Sequence, residues 1–307
     1  MANVTDVAFR SMFAKYGKPD VMWTEFVSAD GLCSPGKDML LRDLEFAENE
    51  RPIVAQLFTG NTKKMEEAAR LIEKLGFDGL DINMGCPDRA VEKQGAGAGH
   101  IKDLKNAKAI IQAACKGAPN IPVSVKTRIG YNKNEIDSWI TNILEEKPAA
   151  LTVHLRTRKE MSDVPAHWDL MPKIVELRNR ISPETVLLGN GDVNSLAEAY
   201  KKIEESGCDG AMVGRGIFGN PWFFNKKFLG KSIADIPPRE RLTVMLEHAI
   251  AFDKKLGDVK SFAVMKKHFK AYVSGWDGAK ELRMKLMEST DLKGVEEIVK
   301  AYIKMLQ

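Results

Sequence analysis

Cysteine and long apolar runs are both scarce in this chain, and each absence narrows what the protein can be. The 307 residues hold only four cysteines, which are far apart and form no C-x-x-C pair. Isolated cysteines exclude a disulfide framework and a structural zinc site, and they are typical of a reducing cytoplasm. No run approaches the roughly 20 apolar residues of a membrane span, and the start MANVTDVAFR lacks the layout of a signal peptide. We therefore expect a cytoplasmic protein that holds no metal and contacts no membrane.

A large excess of one charge sign is also absent, since the net charge is only +4. Residues 239–307 hold 14 Lys and Arg against 10 Asp and Glu, whereas residues 1–238 hold 32 of each sign. The whole positive excess therefore lies in the C-terminal segment. It could attract a phosphate backbone there, or it could simply form a solvated helical surface.

Short apolar runs alternate with longer segments of helical spacing through most of the chain. The predicted strands cover residues 21–26, 52–57, 79–83, 122–127, 150–154, 185–189 and 210–214. The clearest helices between them cover residues 64–75, 104–114, 138–146, 171–179 and 196–206. This alternation predicts a parallel sheet covered by helices, and the continuous apolar strands fit burial on both faces.

Six predicted strands end in polar residues of types that often bind ligands or take part in catalysis. They are Gln56, Asn83, Lys126, His154, Asn190 and Arg215. A closed (β/α)8 barrel gathers its active site from all its strand ends, whereas an open doubly wound sheet gathers it at one switch point. No G-x-G-x-x-G opens the first helix. We therefore predict an α/β fold of the (β/α)8 TIM barrel type.

The first strand of such a barrel is missing from the pattern, because TDVAFRSMFAKYG already reads as a helix capped by Thr5 or Asp6. We expect that strand before Met1, and an incomplete gene model or a downstream start codon explains this better than a seven-stranded barrel. The stretch ADIPPRE then breaks the alternation, and only helices follow, over residues 240–256, 262–273, 278–287 and 295–306. We predict a barrel domain over residues 1–235 and a helical domain over residues 236–307.

Cys86 is the candidate for acid chemistry. It lies in DINMGCP, just beyond a strand end and between Gly85 and Pro87. A thiol with a pKa near 8.5 is mostly protonated at neutral pH and can donate a proton. From the residues alone, a catalytic role for Cys86 and a purely structural packing role are equally open. The other three cysteines lack this setting, and we expect them to be structural.

Other strand ends carry groups that could bind a ligand. Asn83 and Gln56 could hydrogen-bond a heterocyclic edge, or they could form a turn and a backbone contact. Lys126 could stabilise an electron-rich ring, or its charge could reach out to solvent. His154 could be a catalyst, although a lone histidine is more often an ordinary polar residue.

The last two strands are followed by glycine-rich loops, Gly189-Asn190-Gly191-Asp192 and Gly214-Arg215-Gly216. Counting the missing strand, these loops follow strands seven and eight, where barrels often bind phosphate. Backbone N–H groups and an arginine suit a phosphomonoester. Ordinary turn glycines are the weaker interpretation.

These residues together resemble the dihydrouridine synthase family over essentially the whole chain. The matching stretches include VMWTEFVSADGL, PIVAQLFTG, LDINMGCPDRAVEKQGAGAG, PVSVKTRIG, LTVHLRTR, LLGNGDV, AMVGRGIFGNPWFF and MKKHFKAYVSGWDGAKELRMKLM. The resemblance implies an FMN-dependent oxidoreductase with NADPH as co-substrate and tRNA as partner, and no obligate protein partner is evident. Two features depart from the family pattern, the absent first strand and the segment KEMSDVPAHW.

The resemblance also assigns roles to individual residues. Cys86 corresponds to the general acid and Asn83 to a uracil-binding position. Cofactor contacts are implied for Met1, Ala2, Gln56, Lys126, His154, Asn190, Gly191, Asp192, Gly214 and Arg215. Substrate contacts are expected at Arg156 and Arg158. Lys266, Lys267 and Lys270 could bind the tRNA backbone while Phe269 and Tyr272 pack inward, or their helix could equally be a plain amphipathic core helix.

Two other functions stay open at this point. One is a flavin barrel acting on a small pyrimidine, similar to dihydroorotate dehydrogenase. The other is a non-catalytic tRNA-binding protein. The sequence indicates neither the uridine position nor a preference for NADPH over NADH.

Overall fold

The computed structural model describes residues 4–306. Its centre is one parallel sheet of seven strands that pair in chain order, each with the next. The strands are β1 Met22–Ser28, β2 Ile53–Phe58, β3 Gly79–Asn83, β4 Val123–Arg128, β5 Ala150–His154, β6 Val186–Asn190 and β7 Gly210–Met212. The predicted parallel sheet is confirmed. Within residues 4–306 the two outer strands, β1 and β7, do not pair with each other.

Thirteen α-helices accompany the sheet in the described part of the chain. Those before and between the strands are α1 Val7–Tyr16, α2 Ala29–Leu32, α3 Lys37–Leu41, α4 Thr62–Lys74, α5 Arg89–Glu92, α6 Leu104–Gly117, α7 Ile136–Leu144, α8 Met171–Ile181 and α9 Leu196–Ser206. Local chemistry fixes their ends: the Asn61 side chain accepts from the backbone N–H of Lys64 at the start of α4, and Gly207, with φ 71°, ends α9. Asp6, rather than Thr5, caps α1.

The C-terminal part is helical, as predicted. It consists of α10 Pro238–Leu256, α11 Met265–Tyr272, α12 Ala279–Glu288 and α13 Leu292–Met305. The predicted helix over residues 262–273 is divided, because Phe262–Val264 forms a 3₁₀ turn before α11. No helix within residues 4–306 combines the length and apolar character needed to cross a membrane.

Two apolar cores lie side by side, and helix α1 belongs to both. The larger core surrounds the sheet and includes Phe9 and Phe13. The second core lies among the C-terminal helices and includes Val7, Ala8 and Met12. The division at residue 235 stays a prediction, and the first helix joins the two parts on either side of it.

A pair of buried histidines lies where these cores meet. The rings of His248 in α10 and His268 in α11 are 4.7 Å apart between centroids, and the ring of Phe9 packs on both. None of the four ring nitrogens has a hydrogen-bond partner among the described residues. Burial lowers the pKa of His248 to about 3. It also lowers the pKa of His268, and the charge of Lys267 acts in the same direction.

These histidines predict a loss of stability in acid. Both pKa values are lower in the folded state, so the unfolded chain binds more protons and the free energy of unfolding falls as the pH drops below about 6.5. Between pH 7 and pH 5 one such histidine contributes a loss of about 2 kcal/mol. We expect His248→Phe to reduce the loss over that interval by about this amount, measured by urea denaturation at both pH values. An unchanged loss in the variant would contradict the prediction.

Candidate functional site

A cavity of about 1070 Å³ opens at the carboxyl ends of the strands and extends between β7 and β1. Every predicted cofactor position within the described residues lines it, together with the predicted acid and the uracil-binding position. These are Gln56, Asn83, Cys86, Lys126, His154, Asn190, Gly191, Asp192, Gly214 and Arg215. Met1 and Ala2 lie outside the described residues. The structure therefore brings the strand-end residues to one place, as a barrel requires.

The strand register explains this convergence. Asn83 of β3 is level with Lys126 of β4, and His154 of β5 is level with Asn190 of β6. Side chains two residues apart along a strand share a face, so Lys126 and Arg128 both point into the cavity.

A chain of buried hydrogen bonds crosses β2, β3 and β4 beneath the cavity. The Ser124 hydroxyl donates to Oδ1 of Asp81 at 2.5 Å, and the Gln56 amide donates to Oδ2 at 2.6 Å. Gln56 in turn accepts from Nδ2 of Asn83 at 3.0 Å. Burial raises the pKa of Asp81 to about 6, against the hydrogen bonds from Ser124 and Gln56 and the charge of Lys126. This chain fixes the orientation of both amides at the cavity wall.

Asn83 also shapes the loop that carries Cys86. Its Oδ1 accepts from the backbone N–H groups of Gly85 at 3.2 Å and Cys86 at 2.9 Å. The turn-forming role that the sequence left open is therefore present, and one amide hydrogen of Asn83 is left over for a ligand. Beyond the loop, Gly97 has φ 57°, and a Cβ on it would lie 2.7 Å from the carbonyl oxygen of Cys86. Close packing thus holds the loop on both sides.

The Cys86 thiol faces the cavity in a half-buried position. Burial raises its pKa, while a hydrogen bond from the backbone of Asp88 and the charges of Arg128 and Lys126 act in the opposite direction. A thiol with a raised pKa is protonated at neutral pH, which suits a proton donor and not a nucleophile.

The positively charged side chains on the cavity wall are not fully balanced by nearby acidic side chains. Burial, together with the charge of Arg128, lowers the pKa of Lys126 to about 8. The structure shows no hydrogen-bond or ion-pair partner for the Lys126 amine among residues 4–306. Burial and the charges of Lys126, Arg128, Arg156 and Arg215 lower the pKa of His154 to about 2, so its imidazole is neutral. An anionic or electron-rich ligand would offset this charge.

Asp192 organises the glycine-rich loop after β6. Its carboxylate accepts from the guanidinium of Arg156, from the backbone N–H of Ala166 at 2.8 Å and from Arg215 at 3.2 Å. Burial opposes ionisation of Asp192, but the hydrogen bonds from Arg156 and Ala166 outweigh it and lower its pKa. Asp192 has φ 47° and Gly191 has φ 125°, so the loop turns through the left-handed region at two successive residues.

Trp168 supports the same loop from below, and the sequence did not single it out. Its Nε1 donates to the carbonyl oxygen of Gly191 at 2.7 Å. A Cβ on Gly189 would lie 2.4 Å from the indole ring, so only glycine fits at that position. Trp168 ends the KEMSDVPAHW segment, which therefore contributes to the geometry of the loop.

Apart from Asn83, the predicted substrate contacts lie outside the cavity lining. Arg156 is 2% exposed and bonded to Asp192, Val164 and His154. Arg158 pairs with Glu92 at the rim. On α11, Lys270 is exposed and Lys266 and Lys267 are half-buried, while Phe269 and Tyr272 pack inward as predicted. Of the remaining cysteines, Cys33 and Cys208 are at least partly buried and Cys115 is exposed, and their structural role stays a prediction.

Arg128 is the functional candidate that the sequence analysis missed. Its Nε donates to the carbonyl oxygen of Gly85 at 2.8 Å, and its Nη1 donates to those of Thr157 at 3.0 Å and Met161 at 3.1 Å. The signal was the two-residue spacing from Lys126, which places both on the same face of β4. No group of three or more His, Cys, Asp or Glu that could bind a metal occurs among the residues the structure describes.

Comparisons with known proteins identify the family of this chain. The family model described as "Dihydrouridine synthase (Dus)" matches residues 1–307. A probable tRNA-dihydrouridine synthase 2 of Bacillus subtilis (strain 168) is 41% identical over 295 residues, covering 95% of this chain and 89% of that protein. A probable tRNA-dihydrouridine synthase of Staphylococcus aureus (strain COL) is 39% identical, with 95% and 88% covered.

Among solved structures, a histamine dehydrogenase from Rhizobium sp. 4-9 has a TM-score of 0.54 at 11% identity, covering 81% of this chain and 46% of that one. At that identity the likeness concerns the barrel fold alone. The whole-chain family match and the two relatives decide the family: this chain belongs to the dihydrouridine synthase family.

Proposed function

We propose that this protein is a tRNA-dihydrouridine synthase, an oxidoreductase that reduces the C5–C6 bond of a uridine in tRNA with FMN and NAD(P)H. The observation that carries the proposal is that a protonated thiol, Cys86, shares the wall of one cavity with Lys126, a cation without a partner within residues 4–306. The names of the relatives, which are probable tRNA-dihydrouridine synthases, favour tRNA over a free pyrimidine as substrate.

The residues around the cavity fit FMN. An isoalloxazine ring becomes electron-rich when reduced, and the half-buried amine of Lys126, which has no partner within residues 4–306, would stabilise such a ring. Gln56 and the neutral His154 would contact the ring or the chain below it. At the other end, the loop Asn190–Asp192 with Gly214 and Arg215 offers turn N–H groups and a cation for a phosphate. When bound there, FMN reduced by NAD(P)H supplies a hydride for C6 of the uracil.

The chain's own residues then supply binding and the proton. The target uridine has to leave the base stack of the tRNA to enter the cavity, because C5 and C6 are inaccessible while it is stacked. Asn83, with its remaining amide hydrogen, would bind a uracil carbonyl. Lys126 would offset the negative charge that develops on the carbonyl oxygens. Cys86 would donate its proton to C5, and its raised pKa keeps that proton available at neutral pH.

The C-terminal helices provide a surface for the rest of the tRNA. Lys266, Lys267 and Lys270 lie on α11, whose apolar residues pack into the second core. We assign these lysines to the tRNA backbone, and we assign residues 1–235 to catalysis and residues 236–307 to tRNA binding. Arg156 has a positioning role in this scheme, because it is buried against Asp192.

The proposal is tested with purified full-length protein, FMN, NADPH and tRNA from cells that lack the gene. We expect flavin absorbance near 450 nm, oxidation of NADPH that depends on tRNA, and dihydrouridine in the product tRNA. Dihydroorotate or free uracil should not replace tRNA. Turnover of a small pyrimidine without any reaction on tRNA would reject the proposal, and so would a colourless protein that binds tRNA.

A further inference from the structure

Arg158 follows β5 at the rim of the cavity, and its guanidinium is engaged within the protein. Nε donates to Oε1 of Glu92 at 2.5 Å, and Nη2 donates to Oε2 of Glu92 at 3.2 Å. Nη2 also donates to the carbonyl oxygen of Pro87 at 3.3 Å. Pro87 follows Cys86 directly, and Glu92 ends helix α5 five residues later. Arg158 therefore holds the segment that carries the thiol from the loop of another strand.

Tyr131, in the loop after β4, is the third member of this arrangement. Its hydroxyl donates to Oε2 of Glu92 at 2.8 Å, and its ring centroid lies 5.4 Å from the guanidinium carbon of Arg158. The backbone joins the same two loops, since the N–H of Arg158 donates to Gly130 at 2.9 Å and that of Lys159 to Tyr131 at 2.8 Å. The loops after β3, β4 and β5 are thus linked through one carboxylate.

The charges within this arrangement balance. The side chain of Glu92 is 10% exposed and that of Arg158 is 23% exposed, so the pair is largely withdrawn from water. Two parallel N–H···O bonds to one carboxylate are the strong, oriented form of such a pair. A cation paired in this way offers little net attraction to a phosphate, which differs from the substrate contact that the sequence predicts for Arg158.

The other side of Cys86 is held in the same manner. Arg128 binds the carbonyl oxygen of Gly85, the residue before the cysteine, and Arg158 binds that of Pro87, the residue after it. We propose that Arg158, Glu92 and Tyr131 form a clamp that fixes the Cys86 thiol in its orientation towards the cavity. In this clamp Arg158 is a positioning residue and not a ligand of tRNA. The importance of the clamp for catalysis rests on the proposed function.

The first test is the reactivity of the thiol in Arg158→Met. Iodoacetamide alkylation of Cys86 is followed by peptide mass spectrometry, with the exposed Cys115 of the same molecules as the internal standard. Loosening the loop should expose the thiol and raise the Cys86 to Cys115 rate ratio several-fold. The matched control is Arg51→Met, because Arg51 also pairs with carboxylates, those of Glu48 and Asp78, but makes no hydrogen bond to residues 85–92. The control should leave the ratio unchanged.

The second test uses Glu92→Gln, for which the two roles of Arg158 predict opposite results. If Arg158 binds a tRNA phosphate, removal of its carboxylate partner frees the charge, tightens tRNA binding and steepens the salt dependence, by about one unit of slope at most. If Arg158 belongs to a clamp, Glu92→Gln raises Cys86 alkylation as Arg158→Met does and leaves tRNA affinity unchanged. Tyr131→Phe, which removes one hydrogen bond, should act in the same direction to a smaller extent.

Turnover gives a third readout, since the clamp variants should lower kcat for dihydrouridine formation while KM for tRNA stays near the wild-type value. Wild-type alkylation of Cys86 in both Arg158→Met and Glu92→Gln would overturn the proposal, as would tighter tRNA binding by Glu92→Gln. If Arg158→Met does not fold, Glu92→Gln and Tyr131→Phe carry the test with smaller changes of shape. Alkylation needs no turnover, so the clamp can be judged even if Cys86 proves not to be the acid.

Discussion

Replacing Cys86 by alanine is expected to lower dihydrouridine formation by about 10²–10⁴-fold, the usual contribution of a positioned general acid. The thiol is a protonated group on the cavity wall, and other contacts hold its loop, since the N–H of Cys86 donates to the Asn83 side chain and the carbonyl oxygen of Cys86 accepts from the N–H of Ala98. Flavin content and tRNA affinity should therefore stay close to those of the wild type. The measurement is single-turnover formation of dihydrouridine with pre-reduced protein.

Two further variants separate acid chemistry from packing. Cys86→Ser keeps the size of the side chain but replaces the thiol with a much weaker acid, so its activity should also fall. Cys115→Ala removes a thiol on the exposed face of α6 and should keep full activity. Wild-type activity in Cys86→Ala would show that another group donates the proton.

Replacing Asp192 by alanine is expected to cost both stability and cofactor. Removing one partner of a buried ion pair usually costs about 3–5 kcal/mol, because the other charge is left uncompensated. Arg156 is 2% exposed, but Asp192 is 32% exposed, so solvent relieves part of the cost and we expect a loss of about 2–3 kcal/mol in the free energy of unfolding. The loop Asn190–Asp192 should also lose its turn, and with it most of the bound flavin. Urea denaturation and the flavin absorbance of the purified protein measure the two effects.

Matched variants test the cause of this loss. Asparagine tolerates φ 47° as aspartate does, so Asp192→Asn removes only the charge. Its free energy of unfolding should lie between those of the wild type and Asp192→Ala. The double variant Asp192→Ala with Arg156→Met removes the unpaired cation and should recover part of the stability. Asp137→Ala breaks an exposed pair with Lys173 and should cost no more than about 1 kcal/mol. An equal cost for Asp137→Ala and Asp192→Ala would contradict this account.

The positions of the strands could be predicted from the sequence because each buried strand is a short, continuous apolar run. The ends agree within about two residues, and the largest differences are at β1, which continues to Ser28, and at β7, which stops at Met212. Its extension depends on pairing, and β7 pairs on one side only within residues 4–306. The sequence also did not predict the division of the helix over residues 262–273. That division depends on the side chain of Ser261, which caps the 3₁₀ turn Phe262–Val264 before α11.

Site residues at strand ends could be predicted because parallel strands bring their ends together, whatever their separation in sequence. What each side chain does there could not. Asn83 looks like a free amide in the sequence, but its oxygen binds two backbone N–H groups of its own loop. Arg156 and Arg158 look like exposed cations, and each has a carboxylate partner, Asp192 or Glu92, more than 30 residues away. Partners that distant are set by tertiary packing, on which a local motif carries no information.

The sharing of helix α1 between the two cores has a consequence for how the molecule can be divided. Phe9 and Phe13 anchor this helix to the sheet, and Val7, Ala8 and Met12 on its other side are covered by the C-terminal helices. Removal of those helices would leave an apolar stripe in water on the remaining piece. The barrel is therefore not a module that could be expressed or exchanged alone, and a tRNA-induced shift of the helical part would be transmitted to the strand edge through α1.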